Sequence, residues 1–144
     1  MTSQEVNLIK TSFARIEPIA ETAAALFYER LFELDPGLRR LFSGDMNEQG
    51  RKLMQMIAVA VKGLDRLDQL IPAVQALGAR HSGYGVQDQH YETVGTTLLW
   101  TLEKGLGADF TAETREAWIK VYSVLSQTMK NAIRRPAENL AVIV

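Results

Sequence analysis

The sequence predicts an all-α protein of seven to eight helices packed around one shared centre. Apolar residues recur at three- and four-residue spacing along most of the chain, the pattern of helices that bury one face. Proline and glycine occur singly between these stretches and leave only short connections. No stretch has the convincing alternation of a strand, so the helices must bury their apolar faces against one another.

The bulk composition indicates one globular domain. The chain has 144 residues, of which 47% are hydrophobic and 23% are charged, enough to form a full core. We expect the domain to cover residues 1–135 and a C-terminal tail to follow at 136–144. The net charge of -1 gives no electrostatic reason to expect nucleic acid as a partner. The lack of cysteine excludes disulfides, thiolate catalysis and cysteine-ligated metals.

No targeting or membrane segment is visible. The N-terminus has neither the basic run nor the apolar core of a signal peptide. The longest uncharged stretch of note, residues 69–79, contains a proline and is shorter than the about 18 apolar residues that a membrane helix needs. We therefore expect a cytoplasmic protein without a membrane partner, as a monomer or a homodimer.

The N-terminal part of the chain carries one inward-pointing tyrosine. Thr2 and Glu5 have the spacing of a capping box, which predicts a first helix that ends before Pro18. The next helix, residues 19–34, places Tyr28 on its apolar face, so the hydroxyl points inward. Without other evidence, such a tyrosine is as often a core residue bonded to a backbone carbonyl as a functional group.

Two more candidate residues lie at the edges of predicted helices. A short helix over residues 37–42 follows an aspartate–proline pair and closes at Phe42. A long helix from residue 47 to about residue 63 carries Leu53 on its inner stripe and Gln49 one turn earlier. A lone glutamine in that place more often faces solvent than a ligand.

One histidine ends an apolar stripe at a glycine corner. His81 lies in the last turn of a helix that begins near Leu67, and Pro72 falls early in it, where a first turn tolerates proline. After the corner, residues 90–106 form a strongly apolar helix that carries Tyr91. Taken alone, a histidine in a last turn is more often structural than a metal ligand.

The last predicted helix begins after Thr111 and stops near Arg135, because the residue before Pro136 is pushed out of helical geometry. Its inner face carries large apolar and aromatic residues: Trp118, Val121, Tyr122, Leu125 and Met129. The tail that follows ends in an apolar run to which the sequence assigns no role.

The available side chains limit the chemistry. A Ser-His-Asp nucleophile needs a serine on a strained turn, and none is signalled. Zinc and di-iron sites need several histidines or carboxylates at helical spacing, whereas the two histidines here stand nine residues apart. What remains is one axial imidazole and an apolar pocket with a few polar tips, which is the protein side of a haem site.

A series of short motifs runs along nearly the whole chain: Phe27-Tyr28-Glu-Arg-Leu-Phe32, Leu41-Phe42, Gln49-Gly-Arg-Lys-Leu53-Met-Gln, Gly78-Ala-Arg-His81, Tyr84-Gly-Val86, His90-Tyr91-Glu-Thr-Val94-Gly and Ala117-Trp118-Ile-Lys-Val-Tyr122. In this order they resemble the single-domain bacterial haemoglobins of the flavohaemoglobin lineage. The likeness is greatest to the globins of acidophilic methane-oxidising bacteria.

The resemblance implies a globin fold around one haem b pocket and assigns residues to its two sides. His81 corresponds to the proximal haem-iron ligand and Phe42 to the phenylalanine that stacks on the porphyrin. Tyr28 and Gln49 correspond to the distal hydrogen-bonding pair. It also implies that Leu53 is an apolar gate on the distal side and that the proximal wall consists of Val86, Tyr91 and Val94. Arg80 corresponds to a propionate partner, a role for which Lys52 competes.

The proximal side departs from the pattern of that family. Flavohaemoglobins pair the proximal imidazole with a tyrosine and with a glutamate from the last helix. Tyr91 supplies the tyrosine, but Ile133 and Arg135 stand at the candidate acidic positions. Glu138 could replace the glutamate only if the tail folds back. The resemblance therefore does not extend to a strongly electron-donating proximal side.

The resemblance implies reversible binding of oxygen and other diatomic ligands. It leaves two uses open, oxygen storage or transport and the oxidation of nitric oxide to nitrate. Flavohaemoglobins continue into flavin- and NAD-binding domains, whereas this sequence stops at Val144, so we expect turnover to need a separate reductase. The alternative is a haem-free, globin-like sensor or interaction domain, which would not need Tyr28, Phe42, Gln49 and His81 together.

Overall fold

The computed structural model describes residues 1–83 and 86–133, which form α-helices joined by short connections. The six helices are α1 (Ser3–Ile16), α2 (Ala20–Leu34), α3 (Met46–Lys62), α4 (Leu67–Gly83), α5 (Asp88–Leu106) and α6 (Ala112–Ile133). No strand occurs in these two ranges, and the prediction of an all-α protein is confirmed. The predicted end of the last helix, Glu138 and the tail at 136–144 lie outside the described residues.

The number of α-helices in the described part is six, fewer than the seven to eight that the sequence suggested. The short helix expected at residues 37–42 is a 3₁₀-helix, Pro36–Leu41. Asp35 caps it through a side-chain oxygen that accepts from the amide of Gly37 at 3.1 Å. Leu38 buries its side chain within this six-residue segment.

The capping box at the start of α1 is confirmed and also connects α1 to α6. The amide of Glu5 donates to Thr2 Oγ1 at 3.1 Å, and the amide of Thr2 donates to Glu5 Oε1 at 2.8 Å. Lys120 on α6 places its ammonium 2.8 Å from the second carboxylate oxygen. Hydrogen bonds from Lys120 and from the Thr2 backbone lower the pKa of Glu5 to about 2.

The expectation that Pro72 lies in the first turn of its helix is wrong. The 3₁₀ segment Leu64–Arg66 leads directly into α4, so the helix begins at Leu67 and Pro72 lies inside it. Proline has no amide hydrogen, so the carbonyl of Asp68 loses its usual partner one turn later. Both residues are exposed, and water can satisfy that carbonyl.

The main core lies where α1, α5 and α6 meet, and α3 covers it. Ile9 is fully buried there, and Trp118 packs at 54° to Phe13 with ring centroids 6.4 Å apart. The Trp118 indole donates to Ser12 Oγ at 2.9 Å, which satisfies a polar group that would otherwise be buried without a partner. Within the described ranges, no helix is long and apolar enough to cross a membrane.

A second cluster forms away from this core, where α2 packs against α3 and α5. Separately, α4 packs along α6. These two regions hold the residues that the sequence singled out.

Candidate functional site

Tyr28 lies in a buried aromatic cluster together with other predicted site residues. The side chain is 8% exposed, and its ring meets the ring of Phe42 edge-on at 5.4 Å and that of Phe27 edge-on at 5.1 Å. Leu53 from α3 and Val94 from α5 pack against the same cluster. Four predicted site residues from four parts of the chain therefore meet in one apolar cluster.

Gln49 faces this cluster rather than solvent. It is half-buried, and its Nε2 donates to Tyr28 Oη at 3.4 Å, close to the outer limit of a hydrogen bond. Burial raises the pKa of Tyr28, against a smaller opposing effect of the Gln49 hydrogen bond. The phenol therefore stays protonated at neutral pH. Because its oxygen accepts from Gln49, its own proton remains available for another acceptor.

His81 occupies the last turn of α4 as a partly buried imidazole. Its Nδ1 is buried and has no hydrogen-bond partner among the described residues. Burial, with a smaller effect of the neighbouring Arg80 charge, lowers the pKa of His81. The ring is therefore neutral at neutral pH, the form that can bind a metal. The amide of Val86 donates to the His81 carbonyl at 3.0 Å and holds the chain after the glycine corner close to the histidine.

Tyr91 is the aromatic neighbour of His81, with ring centroids 6.2 Å apart. It is 4% exposed, and its hydroxyl has no hydrogen-bond partner among the described residues. Burial, and less so the charge of Asp88, raises the pKa of Tyr91 to about 12. Lys130 on α6 lies over the Tyr91 ring at 5.7 Å, close enough for a cation–π contact.

Tyr122 on α6 holds the backbone of Tyr91 in place. Its hydroxyl donates to the Tyr91 backbone carbonyl at 2.6 Å. Its ring passes directly over Gly95, where an added Cβ would come within 2.7 Å of the Tyr122 ring. The sequence placed Tyr122 on an inner face but gave no sign of this bond, because its acceptor is a backbone atom.

One face of α5 connects the two halves of the candidate site. Tyr91 and Val94 are three residues apart and therefore share a face of the helix. Tyr91 stands beside His81, whereas Val94 packs against the Tyr28 cluster. The structure thus brings α2, α3, α4 and α5 together around the residues that the sequence selected.

The comparison with protein families decides the identity of this fold. A family model described as Globin matches residues 25–129. The chain belongs to the globin family.

Relatives of this globin include both bacterial and vertebrate proteins. It is 32% identical over 130 residues to the flavohemoprotein of Vibrio cholerae, covering 88% of this chain and 33% of that protein. It is also 32% identical to the neuroglobin of Tetraodon nigroviridis, over 98% of both chains. The globin therefore spans about a third of the flavohemoprotein and nearly all of the neuroglobin. The likeness to the flavohaemoglobin lineage is confirmed, and the finer likeness to methane-oxidising bacteria stays a prediction.

A solved structure with the same fold comes from another bacterium. An engineered carbene transferase from Rhodothermus marinus superposes with a TM-score of 0.85 at 25% identity, covering 98% of this globin and 99% of that chain. The predicted globin fold is confirmed.

The donor set of this globin fits a haem better than a metal ion held by the protein alone. In the described ranges, no group of three or more His, Asp or Glu residues could hold a metal ion. A single neutral imidazole can serve as an axial ligand where a porphyrin supplies the other nitrogens. Phe42, Leu53 and Val94 offer the apolar lining that a porphyrin needs.

The propionate partner of such a haem stays open between two residues. Arg80 is exposed and directly precedes His81, and Lys52 is exposed on α3 next to Leu53. Both side chains can reach water, where the charged edge of a haem would lie.

A cleft of about 380 Å³ opens between α5 and α6 behind Tyr91. Tyr122, Lys130 and Tyr91 are among its lining residues. The Tyr91 ring thus takes part both in this cleft and in the contact with His81.

Proposed function

We propose that this protein is a haem-b globin that binds oxygen and other diatomic ligands reversibly. One observation carries the proposal: along one face of α5, Tyr91 contacts the His81 imidazole, and Val94 packs against the cluster of Tyr28, the partner of Gln49. His81 would bind the iron, and Tyr28 with Gln49 would face the ligand. Membership of the globin family supports this assignment.

When bound, the haem would supply an iron that can bind oxygen or another diatomic gas, and His81 would hold that iron. The described residues hold and enclose it. His81 offers a ring nitrogen that burial keeps unprotonated. Phe42, Leu53 and Val94 would exclude water from the porphyrin. Val86 and Tyr91 would line the side of His81, and Arg80 or Lys52 would pair with a propionate.

Tyr28 supplies the hydrogen bond that retains a polar ligand. Its raised pKa keeps the phenol proton in place, and its burial removes competition from water. A hydrogen bond of this kind stabilises a partly negative ligand by about 1 kcal/mol or more. Gln49 orients the phenol by donating to its oxygen.

We further propose that the same site oxidises nitric oxide to nitrate. One oxygen molecule, one nitric oxide and one electron balance one nitrate, so a reductase would have to supply the electron. The likeness to a flavohemoprotein and to a Rhodothermus protein with the provisional name nitric oxide dioxygenase supports this activity.

Two measurements test these proposals. Protein produced with ample haem should show a Soret absorption band, and its absence would favour the haem-free sensor or interaction domain. Stopped-flow mixing of the oxygenated protein with nitric oxide should then yield ferric protein and an equal amount of nitrate. If the protein stays oxygenated in the presence of nitric oxide and no nitrate forms, the proposed oxidation is wrong. Oxygen storage or transport would then be the remaining function.

A further inference from the structure

Gly50 lies where α3 packs tightly against α2. It is buried, and a Cβ added there would come within 2.9 Å of the Cβ of Ala24. Carbon atoms pack favourably at about 3.5–4.0 Å, so both atoms cannot keep these positions. Neither side chain has a torsion that could relieve the overlap. Any residue larger than glycine at position 50 must therefore push the two helices apart.

This contact lies next to the polar pair of the candidate site. Gly50 directly follows Gln49 on α3, and Ala24 precedes Tyr28 by about one turn on α2. The Gln49–Tyr28 hydrogen bond is already 3.4 Å long. Since hydrogen bonds weaken steeply beyond about 3.5 Å, a shift of a few tenths of an ångström between the helices would break it.

We propose that Gly50 is a positioning residue that sets the Gln49–Tyr28 hydrogen bond and thereby the rate at which a ligand leaves the site. The inference rests on the proposed function, because it assumes that Tyr28 and Gln49 face a haem ligand. The small residues at positions 50 and 24 together fix the spacing of α2 and α3. The distance between α2 and α3, and not only the presence of Gln49, then determines how the Tyr28 phenol is oriented.

An exchange of the two small residues gives the sharpest test. In the haem-loaded protein, Gly50→Ala should release oxygen several-fold faster and shift the C–O stretching frequency of the carbon monoxide form, because the phenol loses its partner. The double change Gly50→Ala with Ala24→Gly moves the methyl group to the other helix and should restore both readouts. Gly44→Ala is the matched control, since a Cβ at Gly44 meets nothing within 4 Å.

The outcomes separate this inference from the proposed function. If Tyr28→Phe and Gln49→Leu alter release and the C–O frequency but Gly50→Ala does not, the positioning role of Gly50 is wrong. The positioning role would also be wrong if the double variant had the same oxygen release rate and C–O frequency as Gly50→Ala. If Tyr28→Phe and Gln49→Leu themselves change neither readout, the proposed distal site fails instead. Should Gly50→Ala not fold, Ala24→Gly alone should slow release, and a rate at or above wild type would contradict the inference.

Discussion

Gln49 turns its amide toward the Tyr28 hydroxyl, although a glutamine one turn before an apolar stripe usually faces solvent. At the residue scale, periodicity found the inward faces of Tyr28, Tyr91 and His81 because each lies on an apolar stripe. Periodicity could not reveal that Gln49 points inward, since its position is also compatible with solvent. Only the closeness of α2 and α3 decides its direction.

The hydroxyl of Tyr28 should slow the release of oxygen. Tyr28→Phe removes the donor and keeps the ring, so oxygen should leave up to about tenfold faster, which corresponds to about 1.4 kcal/mol. Stopped-flow measurement of the release rate checks this. Thr96→Val, which removes an exposed hydroxyl from α5, should leave the rate as it is. An unchanged rate in Tyr28→Phe would remove Tyr28 from the ligand side.

At the element scale, the contacts between helices depend on groups with no signature in the sequence. The bond from Tyr122 to the Tyr91 carbonyl fixes the start of α5 against α6, and Gly95 makes room for it. The capping box at Thr2 and Glu5 was readable from its spacing, but its ion pair with Lys120 was not. Capping is local in sequence, whereas both of these contacts join distant segments.

Tyr122→Phe should destabilise the folded protein by about 1 kcal/mol, because it removes one hydrogen bond and leaves the ring packed over Gly95. Urea unfolding of the two proteins measures the difference. Gly95→Ala keeps the hydroxyl but forces a Cβ against the Tyr122 ring, and this overpacking should cost about 1–3 kcal/mol. Equal stability of wild type and Tyr122→Phe would show that the bond contributes nothing.

The stabilising effect of the Glu5 carboxylate should depend on pH. The pKa of Glu5 falls from 4.5 to about 2 on folding, so its contribution is complete above pH 4.5 and is lost as the pH falls toward 2. Thermal melts should give Glu5→Gln a lower melting temperature than wild type at pH 7. This gap in melting temperature should close as the pH falls from 4.5 to 2. Added salt should narrow the gap at pH 7. A gap that stays constant from pH 7 to pH 2 would contradict this role.

At the scale of the whole molecule, the sequence predicted the fold class and the faces of the helices. It overcounted the helices because a capped proline turn at Pro36–Leu41 reads like a short helix start. It assigned Pro72 to a first turn, although a helix that begins at Leu67 has Pro72 as its sixth residue. The distances between helices depend on close contacts such as Gly50 with Ala24, which no periodicity encodes.

The central claim is that His81 holds a haem iron in one pocket of this globin. Titration of the haem-free protein with haem, followed by absorbance, tests it most directly. We predict one haem bound per chain with a Soret band, and a His81→Ala variant whose ferrous spectrum lacks the signature of a five-coordinate histidine complex. A wild-type protein that develops no Soret band, or a His81→Ala spectrum identical to wild type, would contradict the claim.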